Sequence, residues 1–71
     1  MNNLAFNLRS LRKKRRWSQK ALSLKACVPQ SAVHYIEKGN RNPRVDTLEK
    51  IAVALKVTVQ ELLYSHQAIK K

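Results

Sequence analysis

Ser18-Gln19-Lys20-Ala21-Leu22-Ser23-Leu24-Lys25-Ala26-Cys27-Val28-Pro29-Gln30-Ser31-Ala32-Val33-His34-Tyr35-Ile36-Glu37-Lys38-Gly39 is the stretch that decides the fold. Ser18 is a good N-cap, since its side-chain oxygen can accept from the N–H groups a helix leaves unpaired at its start. A short helix over about Gln19 to Lys25 follows. Ala26-Cys27-Val28 then reads as a tight turn. Pro29 fits the first position of the next helix, where its missing N–H costs nothing. Val28, preceding a proline, is pushed toward an extended conformation and so separates the two helices. The second helix is expected from Pro29 to about Glu37, with Gly39 taking the positive φ that ends it. Two short helices joined by a three-residue turn make a helix-turn-helix unit. The first packs across the second and holds it rigidly, which leaves the outer face of the second free.

Outward from this stretch the chain also reads as helix, with apolar spacings of three and four and no sustained alternation. Before it, a helix from about Asn3 to Arg15 places Leu4, Leu8, Leu11 and Arg15 on one face. Its last turn is rich in cations, which suits the negative end of the helix dipole, and Trp17 is expected to fold back over the core. After it, Asn40 to Arg44 reads as a loop. A fourth helix is expected to open at Asp46 with Glu49 three residues on, a capping-box pattern, and to bury Val45, Leu48, Ile51, Ala52 and Leu55. A fifth opens the same way with Thr58 and Glu61 and carries Leu62 and Leu63. The expected fold is all-α: a compact five-helix bundle forming one domain over residues 1–65, with a short frayed tail over 66–71.

The chain has 71 residues, enough for one core. Fifteen Lys and Arg stand against four Asp and Glu, for a net charge of +11. The excess is lopsided: residues 1–44 hold 11 basic residues and one acid, and residues 45–71 hold 4 basic residues and 3 acids. One half is suited to a polyanion, nucleic acid or an anionic membrane surface, and the other to folding or association. Cys27 is the only cysteine, so no internal disulfide framework exists. The longest apolar run, Ile51 to Leu55, is far too short to span a bilayer, and the opening residues do not lead into a secretory segment. A cytoplasmic protein is the expectation.

Ser18-Gln19, Leu22, Ala26, Val28, Val33, Ile36-Glu37 with Gly39, then Pro43, Thr47-Leu48, Ile51-Ala52, Ala54-Leu55, Val57 and Glu61-Leu62-Leu63 resemble, in order and spacing, the Xre/Cro family. That family includes the lambdoid phage repressors and many small bacterial regulators. The resemblance spans roughly Leu8 to Leu63 and implies a lambda-repressor-like domain that binds double-stranded DNA and regulates transcription. The helix after the turn would enter the major groove, with Gln30, Ser31, His34 and Tyr35 toward base edges. Gln30 is the strongest reader, because an amide can bond adenine N6 and N7 together. For His34 and Tyr35, base, phosphate and plain solvent exposure stay open. Ser18, Gln19, Pro29, Lys38, Asn40, Arg41 and Arg44 would meet the DNA backbone. Arg12 and Glu37 would form a structural ion pair, a guanidinium fork matched to a carboxylate.

The chain departs from the family at two positions. Cys27 stands where the family holds glycine, and a left-handed conformation there costs about 1–2 kcal/mol. Pro29 stands where the family holds Ser or Thr, which removes a side-chain cap and one possible phosphate hydrogen bond.

Two copies on a palindromic operator would double the base contacts, with half-sites about one helical turn apart. The near-neutral C-terminal half, through Val59, Leu62, Leu63 and Tyr64, is the expected homodimer surface. An antitoxin that also binds a toxin is the nearest alternative, although no toxin-wrapping arm is evident. A basic RNA-binding or membrane-surface module is more remote, because side chains cannot enter the narrow A-form major groove and the aromatics are too few for stacking. The apolar stripe of the first helix is better used as core than as a membrane-surface face.

Catalysis is not expected. The four acids are accounted for by two capping boxes and the Arg12 pair, which leaves none for acid–base work. One Cys and two separated His make no standard zinc site, no glycine-rich phosphate loop is present, and no cofactor is expected.

Overall fold

The computed structural model describes residues 3–39 and 43–64, which form five helices: α1 Leu4–Lys14, α2 Gln19–Ala26, α3 Gln30–Glu37, α4 Val45–Leu55 and α5 Val59–Leu63. The described residues contain no strand. One core holds them together. Leu8, Leu22, Val33, Ile51, Leu55 and Leu62 are fully buried, one or two from each helix, so no helix buries its apolar face without the others. Trp17 and Leu11 pack on the margin of this core. None of the described helices is long and apolar enough to cross a membrane.

The turn between α2 and α3 is set by three residues. Cys27 adopts the left-handed conformation (φ 58°, ψ 43°) and caps α2, and the Val28 N–H donates to Ser23 O at 3.0 Å. The chain leaves this turn extended. Pro29 therefore is the N-cap of α3 (φ −64°, ψ 146°) and not its first helical residue, as the sequence suggested. Its fixed φ suits either position. The extended ψ decides, and the Pro29 carbonyl accepts from the Ala32 N–H at 3.0 Å. Gly39 ends the segment at φ +110°, outside the range L side chains adopt readily.

The start of α4 also differs from the sequence expectation. The helix begins at Val45 with Arg44 as N-cap, and no side chain caps it. Asp46 is thus already inside the first turn. Its Oδ1 accepts from the neighbouring Thr47 N–H at 2.9 Å, and the Asp46–Glu49 capping box does not form. Val45, at the rim of this first turn, stays 67% exposed and does not join Leu48, Ile51, Ala52 and Leu55 in the core. In α5 the capping box does form: Thr58 Oγ1 accepts from the Glu61 N–H at 3.0 Å, and Glu61 Oε1 accepts from the Thr58 N–H at 2.8 Å.

Two long-range ties seat α1. Asn7 is buried and donates from Nδ2 to Leu62 O at 2.9 Å, and the Asn3 N–H donates to Leu63 O at 3.1 Å. Both satisfy carbonyls of the last turn of α5, which has no further turn to do so. Arg15 donates from Nη2 to Leu55 O at 2.6 Å and so caps the C-terminal end of α4. Its guanidinium also lies 5.3 Å from the Trp17 ring centroid, and Lys25 Nζ lies 5.0 Å from it. Two cations therefore attend this half-buried indole.

Candidate nucleic-acid interface

α3 is amphipathic in the direction a recognition helix requires. Val33, Ile36 and Glu37 are buried toward the core. Gln30, Ser31, His34 and Tyr35 are exposed on the opposite face, at spacings of one and four residues. The His34 and Tyr35 rings meet edge to face, with centroids 5.5 Å apart and planes at 63°. Pro29 and Lys38 are exposed at the two ends of this face.

What holds α3 in place is a polar cluster at its C-terminal end. Arg12 grips Glu37 with a two-pronged fork, Nε to Oε2 at 2.7 Å and Nη2 to Oε1 at 2.9 Å. Arg12 Nη1 donates to Trp17 O at 2.8 Å, and Gln19 Nε2 donates to Glu37 Oε1 at 3.2 Å. Arg9 Nη2 donates to the main-chain oxygen of Glu37 at 3.1 Å, a cation at the negative end of α3. One carboxylate thus joins α1, the α1–α2 link, α2 and α3. Burial pushes the Glu37 carboxyl up. The hydrogen bonds from Arg12 and Gln19 and the charges of Arg12 and Arg9 outweigh it, so the net shift is down. Arg12 is shifted up, chiefly by its hydrogen bond to Glu37.

The remaining residues named from the sequence differ in freedom. Ser18 caps α2, its Oγ accepting from the Ala21 N–H at 2.9 Å. Gln19 is half-buried, with one amide hydrogen committed to Glu37. Arg44 is exposed, its Nε 3.6 Å from Asp46 Oδ1. Asn40 and Arg41 lie outside the described residues, as does the 66–71 tail.

Of the four residues assigned to an association surface, Leu62 does not qualify. It has no exposed surface, because it fills the core between α1 and α4. Val59 and Leu63 are half-buried and Tyr64 is exposed. Sequence reasoning missed Phe6, which is 63% exposed. It lies on α1, which bonds α5 through Asn7 and, at its N-cap, Asn3. Cys27, in the left-handed turn, is exposed.

A helix-turn-helix family model matches residues 8–62, which include the whole of α2, the turn, α3 and α4 and most of α1 and α5. The chain belongs to this helix-turn-helix family. Among solved structures, a chain of the SinR protein/SinI protein complex is similar: 30% identical, with a TM-score of 0.84, covering 97% of this chain and 69% of that one. No curated protein matches. Membership and fold together make this helix-turn-helix protein a DNA-binding transcription regulator. Enzymatic activity is not typical of such a regulator.

Proposed function

We propose that this helix-turn-helix protein is a repressor that binds a palindromic operator as a homodimer, each copy placing α3 in the major groove. The observation that carries the reading is the division of α3 into a buried face and an exposed, polar and aromatic one, backed by the rigid Arg12–Glu37 cluster. Gln30, Ser31, His34 and Tyr35 meet base edges. Ser18, the free amide hydrogen of Gln19, Pro29, Lys38, Asn40, Arg41 and Arg44 line up on the sugar–phosphate backbone, and the +11 charge supplies long-range attraction.

A single α3 touches too few base pairs for useful selectivity, which favours two copies. The patch of Phe6, Val59, Leu63 and Tyr64 is the surface where they join. Regulation by a protein partner is a second reading. It is favoured by the similarity to a chain of the SinR–SinI complex. Nothing in the fold favours a toxin as that partner.

Selection of tight binders from a random duplex DNA pool at physiological salt tests the reading. A two-fold symmetric consensus is the expected result. Binding without a consensus, collapsing as salt rises, would leave only charge at work. Sedimentation showing monomer at micromolar concentration, with and without the selected duplex, would rule out the homodimer.

A further inference from the structure

Over its first two turns the outer face of α3 carries no Arg, Lys, Asp or Glu. It holds Gln30, Ser31, His34 and Tyr35, and Lys38 comes only at the helix C-cap. In the major groove each base presents a different edge. Guanine O6 and N7 suit an Arg or Lys, the cytosine amino group suits a carboxylate, adenine N6 and N7 suit an Asn or Gln amide, and the thymine methyl suits apolar surface. The first two edges have no charged partner among the described residues of this face, the Ser31 hydroxyl can bond any base and so does not choose, and the last two edges have one partner each. Gln30 supplies the amide. Tyr35 supplies a ring that is 56% exposed. The His34 ring, edge to face with it at 63°, limits its swing.

Resting on the base-reading role proposed above, we infer that α3 reads A·T pairs, with Gln30 bonding an adenine and Tyr35 packing on a thymine 5-methyl group. Five residues of helix rise by roughly 7.5 Å. At roughly 3.4 Å per nucleotide along a strand, the two contacts fall about two base steps apart. Besides facing the groove, His34 positions the tyrosine ring. The selectivity is built from shape and one amide, with the cations of the protein kept for phosphates.

The test uses the duplex selected by the intact protein and replaces its thymines one at a time with uracil. That swap deletes the 5-methyl group and keeps every hydrogen-bonding atom. One thymine in each half-site is expected to be sensitive, with binding weakened about fourfold per methyl lost, the factor for burying a group of that size. Tyr35→Ala, a surface change that leaves the core alone, should erase the difference between the thymine and uracil duplexes. Tyr35→Phe should keep it.

Three results overturn the inference and leave sequence-specific binding standing: guanines at the sensitive positions, no uracil effect at any thymine, or a uracil effect undiminished in Tyr35→Ala. Failure of the pool to yield any consensus overturns the base-reading role itself, and this inference with it.

Discussion

Glu37 is where most of the polar interactions around α3 converge, and its removal leaves Arg12 charged and nearly buried, with side-chain exposures of 12% for Arg12 and 5% for Glu37. Breaking one side of a buried pair costs more than replacing both. Glu37→Ala is expected to lower the unfolding free energy by about 3 kcal/mol in urea titrations, and Arg12→Met with Glu37→Leu by clearly less. The carboxyl is held below its ordinary value of 4.5, so its contribution is complete above that pH and is lost as pH falls through the folded value. The urea midpoint of the wild type should therefore fall more steeply below about pH 4.5 than that of Glu37→Gln. Cys27→Gly is expected to add about 1 kcal/mol of stability, because a left-handed residue with an exposed side chain gains from losing its Cβ. A drop in the urea midpoint would mean the thiol packs on something. The turn was legible from the punctuation of the chain, and its left-handed residue and the Arg12–Glu37 partnership from the family resemblance. Arg9, Asn7 and the Gln19–Glu37 bond were not, because hydrogen bonds between residues 18 to 55 apart leave no periodic mark in a sequence.

At the level of elements, the five helices were legible because each carries an apolar stripe at helical spacing and is bounded by a turn residue or a cap. Their starts were less so. α5 begins where Thr58 and Glu61 say it should, since both side-chain bonds form. α4 begins a residue before Asp46, because Arg44 leaves the loop in an extended conformation and lets Val45 open the helix without a side-chain cap. The two acidic starts should respond differently to substitution. Thr58→Ala is expected to cost about 1 kcal/mol, the usual value of a lost N-cap. Asp46→Ala should cost about 0.5 kcal/mol, the contribution of an exposed charge near a helix dipole. Equal losses in urea unfolding would mean that Asp46 caps α4 after all. The start of α3 at Gln30 matters more for function, since it makes Pro29 the hinge of the turn and Gln30 the first side chain of the helix that can reach a groove.

Across the whole molecule, charge and apolar surface are divided between tasks. The basic residues crowd into the N-terminal half of the sequence, and the exposed aromatics Phe6 and Tyr64 belong to α1 and the C-cap of α5. The fold was readable because every helix follows one pattern of burial, and DNA binding was readable from the family resemblance together with the basic excess. Of the residues proposed for association, Leu62 and Leu63 look alike in sequence, and only packing decides that Leu62 fills the core. Phe6→Asp or Tyr64→Glu is expected to weaken self-association at least about tenfold in sedimentation while leaving the urea midpoint within error, as suits an exposed anchor of an interface. An unchanged dimer would move the association surface elsewhere. The central claim is that α3 reads bases while the cations around it hold phosphates. It is tested most directly by repeating the selection from a random duplex pool with Gln30→Ala and with Arg44→Ala. Gln30→Ala should relax one position in each half-site and cost about 1–3 kcal/mol on the wild-type operator. Arg44→Ala should keep the consensus, weaken binding evenly and flatten the salt slope by about one unit per site. A consensus unchanged in Gln30→Ala, or the same loss in both variants, would contradict it.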